Sequence, residues 1–142
     1  MLLESVRAIV TGAASGLGRY FVRELMRAGA SVAVGDTDVQ GLEGLRAEVA
    51  DAPGLLYAAK LDVRQESSVV EFVQAASQEL GGVNVLVNNA GILRDGLISQ
   101  QEDGWVKKLP TLQWKQVLDV NLTGPYLMTR EVAADIMTRG IR

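Results

Sequence analysis

A glycine-rich run at positions 11–18, Thr-Gly-Ala-Ala-Ser-Gly-Leu-Gly, is the part of this sequence best suited to bind a ligand. It directly follows an apolar run at 6–10 and precedes a helical pattern in which Leu17, Phe21 and Leu25 share one face. A strand, a glycine-rich turn and a helix N-terminus in that order can bind an anion, because backbone N–H groups and the helix dipole meet there. The G-x-x-x-G-x-G spacing differs from the long dinucleotide fingerprint, so an ordinary glycine-rich turn is the alternative.

The three glycines of this run have different predicted tasks. Gly12 can adopt the positive φ that a tight turn demands. Gly16 and Gly18 carry no Cβ, so a pyrophosphate and the neighbouring strand could both approach closely. The run therefore predicts a phosphate site at the start of the first helix.

Two aspartates stand where predicted strands end. A carboxylate at Asp36 could accept hydrogen bonds from both adenosine ribose hydroxyls, and it would repel a 2′-phosphate. Ser15, Thr37 and Asp38 place no cation beside it in the sequence, which favours NAD over NADP; a solvated turn carboxylate is the alternative. Asp62 could accept from the adenine amino group or cap the next helix, and the sequence leaves both possibilities open.

The run Asn88-Asn89-Ala90-Gly91 follows the fourth predicted strand. Its small residues would let the backbone approach a ribose, and its asparagine side chains could tie neighbouring strand ends together. A plain loop would account for the glycine but not for two adjacent asparagines. We therefore expect this run to lie level with the glycine-rich turn.

Asn121 lies four positions before Pro125 in a predicted long helix. Proline lacks the N–H that would bond the carbonyl of Asn121, and its ring presses on that carbonyl, so we expect a kink. An amide side chain beside a freed carbonyl could hold an ordered water. A buried polar residue at a kink is the alternative.

The composition excludes several kinds of chemistry and partner. The 142 residues include no cysteine and no histidine, which excludes thiolate catalysis, disulfides, a Ser-His-Asp triad and nearly all zinc chemistry, so we expect no metal. The net charge is −3 and no basic block is present, so a nucleic-acid partner is not expected. Charges interrupt the N-terminus and no apolar run could span a bilayer, which predicts a cytoplasmic protein without a membrane partner.

Four apolar runs alternate with helical patterns along the chain. The runs at 6–10, 31–35, 55–63 and 83–87 predict buried strands. This alternation predicts an α/β fold, the first half of a doubly wound parallel-sheet (Rossmann) fold with about four strands plus flanking helices. Periodicity fails at 92–110, which predicts a surface loop, and one long helix should then run from about Thr111 to Thr138.

Together these residues resemble the short-chain dehydrogenase/reductase family. The matching motifs are Thr11-Gly12-x-x-x-Gly16-x-Gly18, the acid at Asp36, Asp62-Val63, Asn88-Asn89-Ala90-Gly91, and Asn121 in Asp-Val-Asn-Leu-Thr-Gly. The resemblance implies an oxidoreductase that binds NAD(P), interconverts a secondary alcohol and a ketone by hydride transfer, and forms a dimer or tetramer. It assigns the pyrophosphate to Gly12, Ser15, Gly16, Leu17 and Gly18, the ribose to Asp36, the adenine to Asp62 and Val63, and the rest of the cofactor to Asn89, Ala90 and Gly91. Asn121 would be the catalytic asparagine, which holds a water in the proton relay.

The family's catalytic serine and its Tyr-x-x-x-Lys pair have no counterpart in this sequence. The residues four positions after the three tyrosines are Glu24, Leu61 and Arg130, and none of them is a lysine. We therefore expect residues 1–142 to be an incomplete NAD-binding Rossmann domain, inactive alone, in a homo-oligomer that acts on a small molecule. The catalytic half would be on a second chain, cleaved off or absent, and the fourth strand would be an open sheet edge.

Two further expectations concern the substrate and the alternative function. The run Gly-Ile-Leu-Arg-Asp-Gly at 91–96 resembles the corresponding loop of 3-oxoacyl reductases and 3-hydroxyacyl-CoA dehydrogenases, which suggests an acyl-thioester substrate. The alternative is a non-catalytic NAD-binding or assembly module that is complete at 142 residues.

Overall fold

A computed structural model describes residues 3–140, and the two residues at each end of the chain lie outside the described residues. Its centre is a four-stranded parallel sheet with the strand order β3-β2-β1-β4. The strands are β1 (Arg7–Thr11), β2 (Ser31–Asp36), β3 (Leu56–Lys60) and β4 (Val85–Val87). The predicted parallel sheet of four strands with flanking helices is thereby confirmed.

Helices connect the strands of this sheet and cover both of its faces. They are α1 (Gly16–Arg27), α2 (Val39–Glu48), α3 (Glu66–Leu80), α4 (Thr111–Leu118) and α5 (Gly124–Arg139), with a π-helical turn at Asp119–Thr123. None of the helices within residues 3–140 combines the length and the apolar character needed to cross a bilayer.

The two faces of the sheet carry separate apolar cores. Along β1, Ile9 belongs to one core, whereas Ala8 and Val10 belong to the other, because successive strand residues point to opposite faces. The Ile9 core also contains buried side chains of α3 and α5, among them Val69, Phe72, Leu127 and Met128. The opposite core contains buried side chains of α1 and α2, among them Val22, Met26, Leu42 and Leu45. Burial on both faces explains why the strands are continuous apolar runs in the sequence.

The strand order reverses between β1 and β4. The chain proceeds outward from β1 to β2 and β3, and then returns to the other side of β1 as β4. A crevice forms at the carboxyl ends of the strands where the order reverses, and open parallel sheets bind ligands there. Within residues 3–140, β4 pairs with β1 alone, so its other side is a sheet edge, as predicted.

Helix α1 is rotated about its axis relative to the prediction, so a different face from that of Leu17, Phe21 and Leu25 is buried. Its buried residues are Gly18, Val22 and Met26, while Leu17 is 68% exposed and Phe21 is 38% exposed. Gly18 faces the sheet because α1 packs so closely on the glycine-rich turn that no Cβ fits between them. Leu17 thereby lies on the solvent side of the first turn.

The predicted surface loop at 92–110 contains a β-hairpin, so that part of the prediction is wrong. Strands β5 (Ser99–Glu102) and β6 (Trp105–Lys108) pair antiparallel and are exposed throughout. Asp103 and Gly104 connect them with φ values of 46° and 85°, and Asp-Gly favours such a two-residue turn. The exposed hairpin has no buried face, which is why its strands lack the alternation of apolar and polar residues that marks a half-buried strand.

Candidate functional site

The carboxyl ends of the four parallel strands open onto a cavity of about 490 Å³. It brings together predicted site residues from four separate segments of the chain: Gly12, Ser15, Asp36, Asp62, Val63, Asn89, Ala90 and Gly91. Gly16, Leu17, Gly18 and Asn121 do not line this cavity, although the neighbour of Asn121, Val120, does. The site is therefore a crevice at the point where the strand order reverses.

The glycine-rich turn is shaped by close backbone packing. Gly12 has a φ of 65°, and a Cβ on it would lie 2.7 Å from the Cα of Ala90. A Cβ on Gly18 would collide with the carbonyl oxygen of Gly12 and would lie 2.5 Å from Nδ2 of Asn89. These two glycines therefore allow close contact between α1, the end of β1 and the segment after β4.

The first turn of α1 remains open to a ligand. Gly16 has a φ of 55°, and apart from its chain neighbours and its own helix backbone no atom of the described chain lies within 4 Å of the position that its Cβ would occupy. Ser15 precedes the helix without a side-chain capping bond, and the first helical turn carries no acidic residue. Unpaired N–H groups, the helix dipole and open space together fit the phosphates of a dinucleotide.

Asn89 and Thr11 join the ends of β1 and β4. Nδ2 of Asn89 donates to the carbonyl oxygens of Thr11 (3.1 Å) and Gly12 (2.9 Å). The buried hydroxyl of Thr11 accepts from the backbone N–H groups of Asn89 (3.1 Å) and Ala90 (3.0 Å). The expected tie between strand ends is thereby present, and it includes a threonine hydroxyl that the sequence analysis had not assigned. The neighbouring Asn88 instead donates to Oγ1 of Thr129 on α5.

The Asp36 carboxylate is oriented by two backbone donors. Its Oδ2 accepts from the N–H of Ala14 at 2.9 Å, and its Oδ1 accepts from the N–H of Asp38 at 3.0 Å. Each oxygen keeps a lone pair for a further donor, such as a ribose hydroxyl. The carboxylate is thus held beside the glycine-rich turn and lines the same cavity.

The sequence pattern did not reveal that Arg19 lies near the segment that follows β2. Arg19 donates to the carbonyl oxygens of Ala14 (2.8 Å) and Gly41 (3.2 Å), and it pairs with Glu48 at 2.8 Å. Its guanidinium lowers the pKa of the Glu48 carboxyl. Among the described residues, Arg19 bonds Glu48 and these two carbonyl oxygens and forms no ion pair with Asp36. Only the packing of α1 against α2 shows this pairing.

Asp62 is held by Arg64 and does not cap a helix. The N-terminal cap of α3 is Gln65, which makes no side-chain capping bond, so the capping alternative for Asp62 is wrong. The carboxylate instead accepts two bonds from the Arg64 guanidinium and one from the Arg64 backbone N–H. The guanidinium keeps the pKa of the Asp62 carboxyl below its usual range, so Asp62 is an anion at neutral pH.

Asn121 lies in the π-helical turn that interrupts the predicted long helix. Because Pro125 has no N–H, the ordinary bond to the carbonyl of Asn121 cannot form, and nearby the N–H of Gly124 bonds the carbonyl of Asp119, five residues back. The predicted distortion is therefore present as a π turn. The Asn121 side chain pairs with the backbone of Ile92, accepting at 2.8 Å and donating at 2.9 Å. Each amide group thus makes one bond to the Ile92 backbone and keeps the capacity for a second bond.

The Tyr126 and Arg130 pair belongs to a surface ion-pair network. Arg130 lies 5.7 Å from the centroid of the Tyr126 ring and pairs with Glu66 (2.6 Å) and Glu131 (2.7 Å). These carboxylates raise the pKa of the Arg130 guanidinium. A group held so firmly in its charged form cannot exchange protons with a tyrosine.

Comparisons with known proteins agree with this geometry. A family model described as short chain dehydrogenase matches residues 6–141. Nodulation protein G of Rhizobium sp. (strain N33) is 41% identical over 133 residues, which cover 94% of this chain and 50% of that protein. The 3-oxoacyl-(acyl-carrier-protein) reductase FabG of Thermotoga maritima is 34% identical over 132 residues, which cover 93% of this chain and 50% of that protein.

A solved structure of the same family also resembles this chain. A short-chain type dehydrogenase/reductase from Mycobacterium marinum superposes with a TM-score of 0.85 at 29% sequence identity. The superposition covers 99% of this chain and 53% of that structure. The chain therefore spans about half the length of the relatives described here.

Proposed function

The chain belongs to the short-chain dehydrogenase family, and on that premise we propose that it forms the NAD-binding portion of an oxidoreductase. The reaction would interconvert a secondary alcohol and a ketone. One observation carries the proposal: the Asp36 carboxylate, oriented by two backbone N–H groups, shares a cavity with the glycine-rich turn and the segment after β4.

The residues along the cavity match the successive parts of a dinucleotide, from the pyrophosphate to the adenosine ribose and the remainder of the cofactor. Open backbone N–H groups at the start of α1, from Ser15 to Leu17, would hold the pyrophosphate, and Gly12 and Gly18 would keep the turn tight. Asp36 would accept from the adenosine ribose hydroxyls, and the segment Asn89-Ala90-Gly91, fixed by Thr11, would border the rest of the cofactor. A bound nicotinamide supplies the hydride donor or acceptor of such reactions.

The chain's own contribution to proton transfer is limited. The sequence has no histidine, and its three tyrosines are not followed four residues later by lysine. Asn121 fixes the backbone of Ile92 beside the cavity, so we propose a positioning task for its side chain. We expect binding of NAD but no turnover by this chain alone, and turnover by the isolated chain would contradict this expectation.

An acyl thioester is the proposed substrate class. Arg94 lines the cofactor cavity and also a second cavity of about 500 Å³. That second cavity is lined largely by apolar side chains, among them Ile98, Leu109, Trp114 and Val117. An apolar groove next to the cofactor suits an acyl chain, and one of the relatives carries the name of a 3-oxoacyl reductase. Binding of steroids, but of no 3-hydroxyacyl-CoA, to the NAD-loaded protein would contradict the assignment.

We further propose a homo-oligomer. Its support is the set of apolar side chains that α4, the π turn and α5 expose outside that groove: Leu112, Leu122 and Tyr126. A cytoplasmic location stays a prediction from the composition.

Replacing Asp36 tests the cofactor assignment. Asp36→Ala removes the like charge that would repel a 2′-phosphate and the acceptors for two ribose hydroxyls. We expect the ratio of NAD to NADP affinity to fall about tenfold or more, because charge-assisted hydrogen bonds contribute roughly 1.5–3 kcal/mol each. Calorimetric titration of each cofactor into wild type and variant measures the ratio.

Glu43→Ala is the matched control for this experiment. Glu43 is an exposed acid on α2 that pairs with Arg46, so its loss changes the net charge equally without touching the cavity. We expect its affinity ratio to equal that of the wild type. An unchanged ratio in Asp36→Ala would remove Asp36 from the ribose site, and wild-type protein that binds neither cofactor would refute the proposed function.

A further inference from the structure

Arg64 lines the cavity but belongs to none of the motifs that define the site. Its guanidinium holds the Asp62 carboxylate by two bonds, from Nε to Oδ1 at 2.9 Å and from Nη2 to Oδ2 at 2.7 Å. The Arg64 backbone N–H adds a third bond to Oδ1 at 3.0 Å. A planar fork bonded to both oxygens fixes the orientation of the carboxylate as well as its charge.

The number of acceptor positions left on Asp62 follows from these bonds. Each carboxylate oxygen accepts about two hydrogen bonds, so Oδ1 is saturated and Oδ2 keeps one position. The backbone of Asp62 is also fixed, because its N–H donates to Oγ of Ser68 at 3.1 Å. Asp62 therefore offers a single, oriented acceptor to a ligand in the cavity.

We propose that Arg64 is a positioning residue for purine recognition, fixing Asp62 so that Oδ2 receives one hydrogen bond from the 6-amino group of adenine. The inference rests on the proposed binding of NAD. A 6-oxo purine has an acceptor where adenine has a donor, so its oxygen would face the carboxylate without a hydrogen bond. The site should therefore discriminate adenine from hypoxanthine, and the discrimination should depend on Arg64.

The pair is exposed enough to be altered without unfolding the chain. The side chains of Arg64 and Asp62 are 45% and 21% exposed, and pairs near the surface contribute little to stability. Arg64→Met keeps the length of the apolar stem and removes the fork. Arg64→Lys keeps the positive charge but cannot bond both oxygens in one plane.

The experiment compares NAD with nicotinamide hypoxanthine dinucleotide by calorimetric titration into the whole chain. The wild type should bind NAD about tenfold more tightly than the hypoxanthine analogue. Arg64→Met should lose most of that preference, Arg64→Lys should keep part of it, and Asp62→Ala should lose it. Adding Arg64→Met to Asp62→Ala should cause no further change in the ratio, because Arg64 acts through Asp62.

Arg27→Met is the matched control for the loss of an arginine charge, since Arg27 makes a surface ion pair with Glu24 at 2.6 Å on α1 and does not line the cavity. Its preference for NAD should equal that of the wild type. Equal weakening of both dinucleotides by Arg64→Met, or an unchanged ratio, would overturn the proposal. A wild type that binds both dinucleotides equally would overturn it while leaving cofactor binding intact, whereas binding of neither would refute the proposed function as well.

Discussion

Replacing Gly12 with alanine is expected to lower the free energy of unfolding by about 2–5 kcal/mol and to abolish dinucleotide binding. Two free-energy costs, one from backbone strain and one from a steric clash, add at this position. An L-residue in the left-handed region costs roughly 1–2 kcal/mol, and Gly12 has a φ of 65°. The new methyl group would also lie 2.7 Å from the Cα and 3.0 Å from the N of Ala90, both backbone atoms.

The second cost cannot be relieved by moving a flexible side chain. Relief requires the segment after β4 to move away from β1, and that segment is bonded to the hydroxyl of Thr11. The same movement would change the wall of the cavity at Ala90 and Gly91. Loss of stability and loss of binding should therefore occur together. Urea unfolding followed by circular dichroism, and titration of NAD at a temperature where the variant is folded, measure the two effects.

Gly104→Ala is the matched control for the steric part of this effect. Gly104 has a φ of 85° in the hairpin turn, and apart from its chain neighbours no described atom lies within 4 Å of the position that a Cβ would occupy. Alanine there should cost only the backbone strain, about 1–2 kcal/mol, and should leave NAD binding unchanged. Equal losses of stability in the two variants would mean that the contact with Ala90 has no energetic importance.

The sheet and most of the cavity could be predicted because they depend on local patterns. Apolar runs of strand length alternate with helical periods, and parallel strands place their carboxyl ends together wherever such units repeat. Asp36 ends one strand, and the segment Asn89-Ala90-Gly91 comes shortly after another. Their position beside the glycine-rich turn, which follows the first strand, was therefore predictable. The distortion at Pro125 was equally local, since a missing N–H needs no tertiary context.

The errors arise where long-range packing selects one of several local possibilities. The sequence allowed Leu17, Phe21 and Leu25 as the inner face of α1, but the close contact of Gly18 with Gly12 sets a different rotation. The hairpin at 99–108 buries no face and thus lacks the pattern from which a strand is predicted. Its Asp-Gly turn was the available signal.

Side-chain partners were the least predictable part of the site. Asp62 could cap a helix or face a ligand, and the conformation of Arg64 two residues later decides how its oxygens are occupied. The amide of Asn121 is bonded to Ile92, a partner 29 residues earlier in the chain that no helical pattern could identify. A sequence motif therefore locates a side chain at the site, while its free acceptors depend on neighbours from other segments.

Replacing Thr11 with valine should lower the free energy of unfolding by about 2 kcal/mol and weaken NAD binding. Valine has nearly the same shape, so packing is kept and only the hydroxyl is lost. The N–H groups of Asn89 and Ala90 then lose their acceptor at a partly buried position, and an unpaired buried donor costs about 1–3 kcal/mol. The weaker binding follows because these bonds fix the wall of the cavity.

Two further variants separate the hydroxyl from other effects of this substitution. Thr11→Ser keeps the oxygen and should retain NAD affinity, losing only the packing of one methyl group. Thr138→Val removes an exposed hydroxyl that donates to the carbonyl of Ala134 at 2.8 Å on α5, and it should change stability by less than about 0.5 kcal/mol. If Thr11→Ser weakened NAD binding as much as Thr11→Val, the methyl group rather than the hydroxyl would hold the cavity wall in place. Retained affinity in Thr11→Ser alone would mean that a single buried oxygen couples the end of β1 to the cofactor site.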